Sequence, residues 1–220
     1  MTGSRKVFLD VGGHTGETLA EVMRPRWGFD RIWSFEPVPS CVESLRLIAD
    51  GRVEIVPAGW WSTTESKQLW NPGGLNASVQ YEGEGPTLTC EFIDAASWLQ
   101  QHITADDEVW AKLNIEGAEV AVLDHLLDTG TIALIDHLVV HFDIEWTGDQ
   151  DAAQRVRGRL DASGVSWIEA DAVMFGRDRA AKTASWLDWS MHGATWRLRR
   201  RAFEHRARAL VWRLRKRLRR

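Results

Sequence analysis

The sequence has few cysteines and no long apolar run. Cys41 and Cys90 are its only cysteines, and they show no pairing pattern, so neither a disulfide framework nor a zinc site is predicted. No apolar stretch approaches the roughly 18–20 residues that span a bilayer. The first six residues lead into an apolar strand and contain no signal-peptide h-region. We therefore expect a cytoplasmic protein.

What is present is typical of a globular enzyme-sized domain. The hydrophobic fraction of 44% and the charged fraction of 26% are those of soluble globular proteins. A chain of 220 residues is long enough to bury a large core in one domain. Tryptophan is common, with 13 residues against one tyrosine. We expect most indoles in the core, and some beside a ligand, since an indole face suits the C–H face of a sugar.

The net charge of −4 conceals a strong asymmetry. Residues 197–220 contain eleven Arg, one Lys and one acid, a net charge of +11, which leaves −15 on the rest. Apolar residues share one helical face of this tail: Trp196, Phe203, Ala207, Leu210, Leu214 and Leu218. We predict a catalytic domain at 1–195 and a basic amphipathic helix at 196–220. Its partner is open: its own domain, an anionic membrane surface, a second subunit in a homodimer or, least favoured, nucleic acid.

Apolar runs alternate with helical periodicity along the chain. Strands are predicted at 6–11, 31–36, 53–58, 87–93, 108–115 and 137–142, and helices near 17–23, 40–49, 94–102, 117–128 and 151–162. Residues 165–170 and 172–176 predict an antiparallel strand pair near the C-terminal end. The alternation predicts an α/β fold, with a doubly wound Rossmann-like sheet that is mostly parallel and has helices on both faces. Such sheets bind ligands beyond the carboxyl ends of their strands.

A glycine-rich turn joins the first strand to the first helix, and it reads Asp10-Val-Gly12-Gly13-His14-Thr-Gly16. Glycines here let the backbone approach a ligand and adopt positive φ. The spacing differs from the dinucleotide fingerprint G-x-G-x-x-G, and no G-K-S/T of a Walker A loop follows. A carboxylate at the mouth of the turn would repel a pyrophosphate and attract the ammonium of a methionine moiety. Asp10 therefore favours S-adenosylmethionine over NAD.

A second acid, Glu36, ends the second strand 20 residues after Gly16. A carboxylate there can accept hydrogen bonds from both ribose hydroxyls of a nucleoside. The plainer interpretation is a structural turn followed by a surface acid, but the agreement of Asp10 and Glu36 favours a cofactor site. Lys112 lies in a later apolar strand, where an unpaired ammonium is costly. We expect it to pair with Glu116 or Glu36.

Four blocks of the chain resemble the FkbM-type methyltransferase family. They read VFLDVGGHTGETL, FEPVPSCVESLR, VEIVPAGWW and KLNIEGAEVAVLDHLL, and they occur in the family's order within residues 6–145. Members of the family typically carry D-x-G-x-x-x-G, F-E-P and K-I-D-x-E-G-x-E. The chain departs from the last pattern at Asn114, where the family has Asp. This departure keeps open a catalytically inactive protein that binds S-adenosylmethionine.

The resemblance implies a Rossmann-like domain that uses S-adenosylmethionine to methylate a hydroxyl. It implies that the glycine turn holds the methionine end of the donor, that Glu36 holds the ribose, and that residues 58–60 lie near the adenine. A polar loop at 76–78 would lie near the donor. The predicted cofactor residues are Asp10, Gly12, Gly13, His14, Gly16, Glu36, Pro37, Ala58, Gly59, Trp60 and Ser78.

Two polar clusters are candidates for deprotonating an acceptor hydroxyl. His141 and Asp143 follow an apolar strand and are two residues apart, so their side chains share a face. Histidine has the side-chain pKa closest to neutrality, which suits a general base. Glu116 opens a helix, where it equally suits the helix dipole. We predict His141, Asp143 and Glu116 as catalytic residues, and Asn114, His141 and Asp143 as ligands of a Mg²⁺ ion.

Together these features predict an S-adenosylmethionine-dependent O-methyltransferase that acts on a sugar, oligosaccharide or glycolipid hydroxyl. The first alternative is a small non-sugar acceptor, such as a polyketide or a fatty acid. A second alternative, an RNA methyltransferase or nucleic-acid-binding protein, depends on the basic tail. The acidic body offers no basic groove for it. Contact of the tail with lipid would place the cytoplasmic protein at the membrane periphery.

Overall fold

A computed structural model describes residues 4–72, 74, 77–80, 85–143 and 150–192. The predicted amphipathic helix at 196–220 and Asn76 of the predicted polar loop lie outside these residues. Within them, no helix has the length and apolar character needed to cross a bilayer.

The described part of the chain alternates strands and helices, as the apolar pattern predicts. The strands are β1 Lys6–Val11, β2 Arg31–Phe35, β3 Val53–Val56, β4 Gly59–Trp61, β5 Glu65–Trp70, β6 Thr87–Asp94, β7 Glu108–Leu113, β8 His137–Val140 and β9 Ser166–Glu169. The α-helices are α1 Glu17–Val22, α2 Pro39–Ile48, α3 Ala95–His102, α4 Glu119–Asp128, α5 Gln150–Ser163, α6 Ala170–Val173 and α7 Arg179–His192. Short 3₁₀ turns follow α1 and α4, at Pro25–Trp27 and Thr131–Leu134.

Six parallel strands form the main sheet, in the order β3-β2-β1-β7-β8-β9. Strands buried on both faces read as continuous apolar runs, and β1 is an example. Its residues Val7 and Leu9 pack into the core on the face of α3 and α4. Phe8, between them, packs on the opposite face with Trp186 of α7. This alternation confirms the doubly wound α/β fold.

The strand order reverses between β1 and β7. From β1 the chain runs outward through β2 and β3, and it returns to the other side of β1 with β7, β8 and β9. At such a point the connections leave in opposite directions, so a crevice opens beyond the carboxyl ends of the two central strands. The fold therefore places the residues after β1, β2 and β7 around one opening.

A small second sheet covers one side of this opening. Its order is β4-β6-β5, with β4 parallel and β5 antiparallel to β6. Leu69 of β5 and Cys90 and Phe92 of β6 pack against Val38 and Cys41, which precede and belong to α2. The sequence pattern did not indicate β4 or β5, because β4 is three residues long and β5 is mostly polar.

The predicted antiparallel strand pair near the C-terminal end is wrong in its position. β9 pairs in parallel with β8, because α5 crosses over between them, and a long crossover returns a strand in the parallel direction. Residues 170–173 form α6 rather than a strand. Ala170 and Val173, three residues apart, both bury their side chains in the core beside α7. The antiparallel pair of the described structure is β5 with β6.

Candidate functional site

A cleft opens at the reversal point, beyond the carboxyl ends of β1, β2 and β7. We call it the apolar cleft, since Phe35, Val38, Trp60, Leu69 and Phe92 form much of its wall; it encloses about 690 Å³ of space, its open mouth included. Six predicted cofactor residues line it: Gly12, His14, Glu36, Pro37, Gly59 and Trp60. An apolar lining with a few polar groups is typical of a small-molecule or cofactor site.

The turn after β1 shows why its glycines are needed. Gly12 has a φ of +88°, and a Cβ there would lie 2.0 Å from the backbone oxygen of Asn114. The N–H groups of Gly12 and Gly13 both donate to the carbonyl oxygen of Phe35. A Cβ on Gly13 or Gly16 would meet side chains from β2 and α2 instead of the cleft. The turn thus joins β1, β2 and β7 tightly, and Gly13 and Gly16 lie behind the cleft wall.

Asp10 lies beneath the turn rather than at its mouth. Its side chain is fully buried, and Oδ1 lies 3.1 Å from Nζ of Lys112, which also donates to the carbonyl oxygen of Gly12. The Ser34 hydroxyl donates to Oδ2 at 3.4 Å. Lys112 therefore pairs with Asp10, and the expected pairing with Glu116 or Glu36 is wrong. The reason is strand register, which sets Asp10 directly beside Lys112.

Glu36 is the buried carboxylate inside the apolar cleft. It is 6% exposed and follows the last residue of β2. The backbone N–H of His14 donates to Oε2 at 2.8 Å, and the N–H of Val38 donates to Oε1 at 3.0 Å. Burial raises the pKa of Glu36 above its usual value, although these two hydrogen bonds act against the rise. Each carboxylate oxygen has a second lone pair with which to accept from a ligand hydroxyl.

The far wall of the apolar cleft carries a buried indole donor. Trp60 is 1% exposed, and its ring lies edge-on to Phe35 at a centroid distance of 5.1 Å. Its Nε1 has no hydrogen-bond partner among the described residues. Buried donors are normally satisfied, but Nε1 of Trp33, outside the cleft lining, is also without a partner among the described residues, so this absence alone does not mark a ligand contact at Trp60. The neighbouring Ala58 is buried outside the cleft lining.

A second cleft, the polar cleft, adjoins the first around the ends of β7 and β8. The predicted catalytic and metal-binding residues all line it, namely Asn114, Glu116, His141 and Asp143. Three cations line it as well: Lys112 of β7, and Arg179 and Lys182 of α7. Asn114, Glu116 and Arg179 line both clefts. Ser78 does not line either cleft; its hydroxyl donates to the backbone oxygen of Glu116 at 2.7 Å and so ties a loop to this junction.

His141 and Asp143 form a pair within the polar cleft. Nδ1 of the imidazole lies 3.2 Å from Oδ2 of Asp143. This contact raises the pKa of His141, against the opposing effect of burial. With Nδ1 facing the carboxylate, Nε2 is the ring nitrogen available to a substrate proton. Glu116, the third predicted catalytic residue, lines the same cleft.

Glu116 adopts a backbone conformation that non-glycine residues rarely take. Its φ is +52°, and Gly117 follows with a φ of +100°. Glu119 holds this turn, because its buried carboxylate accepts from the N–H groups of Ile115 and Gly117 at 2.7 and 2.8 Å. Burial raises the pKa of Glu119 to about 7, and burial together with the charge of Asp143 raises the pKa of Glu116. Such strain persists only where its surroundings enforce it, and it is common at functional sites.

The predicted Mg²⁺ site finds little support. Among the described residues, no three or more His, Cys, Asp or Glu side chains are grouped as metal ligands. The Asn114 amide donates to Oε1 of Glu116 at 3.0 Å, and His141 and Asp143 contact each other.

Of two further residues of the site, Glu119 was grouped in the sequence with Lys112, Asn114 and Glu116 but was given no role, and Arg179 was missed. Glu119 carries a signal, since it is the second acid of E-G-A-E and an acid in the first helical turn often binds nearby N–H groups. Arg179 carries none, because it reaches the clefts only through the packing of α7 on α1.

Comparison with known proteins gives one structural likeness. No family model matches the chain, and no curated protein matches it significantly. Its fold is similar to the crystal structure of methyltransferase FkbM from Methylobacillus flagellatus, with a TM-score of 0.41 and 13% sequence identity. The similarity covers 87% of this chain and 37% of that chain, so the protein spans little more than a third of the compared structure's length.

Proposed function

We propose that this protein is an S-adenosylmethionine-dependent O-methyltransferase that acts on a hydroxyl of a sugar, oligosaccharide or glycolipid. The observation that carries the proposal is Glu36. It is a buried carboxylate inside the cleft of a doubly wound sheet, at the end of the strand beside β1. In this position a carboxylate can bind the two hydroxyls of a ribose.

The residues of the apolar cleft fit such a donor. Glu36 offers acceptor oxygens for the ribose. Phe35, Val38 and Phe92 supply apolar surface for a flat base. The turn N–H groups of Gly12 and Gly13 are already engaged by Phe35, which removes two donors that a dinucleotide pyrophosphate would need. This favours S-adenosylmethionine over NAD.

The polar cleft supports a hydroxyl acceptor. When bound, S-adenosylmethionine supplies a methyl group activated by its positively charged sulfur. An alcohol attacks efficiently only as its proton leaves, so a base must stand at the acceptor. His141 can take that proton at Nε2 while Asp143 orients the ring through Nδ1. The density of charged and amide groups around them suits a polyhydroxylated acceptor better than a fatty acid or polyketide.

The proposal is tested by calorimetric titration of the full chain with S-adenosylhomocysteine and with NAD. S-Adenosylhomocysteine should bind and NAD should not. Glu36→Gln should weaken binding of S-adenosylhomocysteine by about 10-fold or more, because hydrogen bonds to a charged group are worth roughly 1.5–3 kcal/mol. Glu43→Gln, an exposed change on α2, is the matched control and should bind like the wild type. Binding of NAD without binding of S-adenosylhomocysteine would refute the proposal.

A further inference from the structure

The junction of the two clefts carries a cation at Arg179. It is the first residue of α7, and it is the one lysine or arginine among the described residues that line the apolar cleft. Its Nε lies 3.5 Å from Oε2 of Glu17, and the two side chains are 32% and 51% exposed. A long, exposed ion pair of this kind is weak. It also engages one of the five N–H donors of the guanidinium fork.

Glu116 provides the opposite charge at the same place. It lines both clefts as Arg179 does. Burial raises the pKa of Glu116, and the charge of Arg179 is among those that oppose the rise, which places the guanidinium within electrostatic reach. A cation and a carboxylate at one end of a cavity complement a zwitterionic amino-acid group, whose carboxylate and ammonium are one carbon apart.

The charged groups that line the apolar cleft come from different parts of the chain. Glu36 follows β2 and is held by the N–H groups of His14 and Val38. Arg179 begins α7 and contacts Glu17, the first residue of α1. Asp10 does not line the cleft, and its carboxylate pairs with Lys112.

Resting on the proposed function, we propose that Arg179 binds the α-carboxylate of the amino-acid end of S-adenosylmethionine. A planar guanidinium binds a carboxylate through two parallel N–H···O bonds, so it fixes the direction of the group as well as its charge. This contact would set the sulfur between Glu36 and Arg179, close to the border with the polar cleft. Arg179 also lines the polar cleft, where the acceptor is proposed to bind. The alternative is therefore that Arg179 binds an acidic group of the acceptor instead of the donor carboxylate.

The test compares two ligands that share adenosine and sulfur. S-Adenosylhomocysteine has the amino-acid end, and 5′-methylthioadenosine lacks it. In titrations of the full chain, Arg179→Gln should bind S-adenosylhomocysteine about 10- to 100-fold more weakly and 5′-methylthioadenosine as well as the wild type does. Arg177→Gln is the matched control, since it removes the same charge two residues away, from an exposed side chain outside both clefts. It should leave both affinities unchanged.

Other outcomes separate the inference from the proposed function. Equal affinity of Arg179→Gln and wild type for S-adenosylhomocysteine would overturn the carboxylate contact. Equal weakening of both ligands would also overturn it, because the change would then act through the fold. If Arg179→Gln does not fold, Arg179→Lys replaces it, with a smaller loss expected for S-adenosylhomocysteine alone. A wild type that binds neither ligand would instead defeat the proposed function.

Discussion

The apolar cleft and the polar cleft share a wall but are built on different principles. The apolar cleft has aromatic and aliphatic walls and a carboxylate, Glu36, held by two backbone N–H groups. The polar cleft concentrates ionisable groups, and its turn at Glu116 is in a rare backbone conformation enforced by Glu119. The first arrangement suits binding by shape with a fixed polar contact. The second suits proton transfer, because groups of shifted pKa gather there.

The comparison also separates groups that face a ligand from groups that hold the clefts in place. Asp10 and Lys112 are charged and central, yet they pair with each other under the turn. Glu119 is buried and bonds to backbone. Changes at these positions should act on the fold, whereas a change at Glu36 should act on the donor and a change at His141 on the acceptor. The predictions below test that division, beginning with the largest effect.

Removal of His141 should affect the polar cleft alone. His141→Ala should lower the methyl-transfer rate by about 10²–10⁴-fold, the usual effect of losing a general base. The affinity for S-adenosylhomocysteine should stay within a few-fold, because His141 does not line the apolar cleft. The measurements are single-turnover rates on an acceptor found by a mass-spectrometric screen, and calorimetric titration. Near-normal rates would show that His141 is not the general base, and Glu116 and His14 would then be the residues to test.

The same residue predicts the direction of the pH dependence. Asp143 raises the pKa of His141, and a base works only when it is deprotonated, so turnover should rise with pH through a midpoint above 6.5. Asp143→Asn removes the main cause of the raised pKa, and the midpoint should then move to lower pH. A midpoint that stays in place would show that another group takes the proton.

Breaking the buried pair of Asp10 with Lys112 should have the opposite effect to His141→Ala. It should destabilise the fold and leave ligand binding nearly unchanged. Asp10→Asn leaves the Lys112 ammonium buried without its partner, which typically lowers the free energy of unfolding by about 3–5 kcal/mol. Folded protein should still bind S-adenosylhomocysteine within a few-fold of the wild type. Urea unfolding measures the first effect and titration the second. Asp50→Asn, at an exposed ion pair, should cost less than about 1 kcal/mol.

The double change Asp10→Asn with Lys112→Met is the control that distinguishes charge from shape. It removes both buried charges, so much of the lost stability should return. If Asp10→Asn left stability unchanged and abolished binding of S-adenosylhomocysteine, Asp10 would belong to the cofactor site after all.

Local patterns were enough to predict the main sheet and the position of Glu36. Apolar runs of four to eight residues ending in glycine or an acid predict buried parallel strands and their carboxyl ends. Such patterns do not indicate which strands are neighbours in the sheet or how their residues align. The pairing of Asp10 with Lys112 depends on β1 and β7 lying side by side over about 100 residues of separation, so Glu36 and Glu116 were equally good partners for Lys112 on sequence alone.

Other errors came from elements that only tertiary packing defines. A strand was predicted at 172–176, but residues 170–173 form one helical turn, because Ala170 and Val173 pack together beside α7. Arg179 reaches the site because α7 lies against α1, and no spacing in the sequence relates the two. Gly13 and Gly16, whose role as cofactor residues stays a prediction, lie close to side chains of β2 and α2.

The smallest effect on the clefts is expected from removal of the basic tail. The tail lies outside the described residues, and every group proposed to touch the donor precedes it, so a chain ending at residue 196 should bind S-adenosylhomocysteine like the full chain.

If the acceptor is a glycolipid, the tail's charge of +11 should hold the full chain on vesicles of acidic phospholipid. Because screening weakens that attraction, 0.5 M salt should release most of the protein. Co-sedimentation with acidic and neutral vesicles measures this, and the truncated chain should sediment with neither. Equal binding of acidic vesicles by both chains would remove the tail from the membrane hypothesis, whereas a loss of S-adenosylhomocysteine affinity on truncation would show that the donor site extends beyond the two clefts.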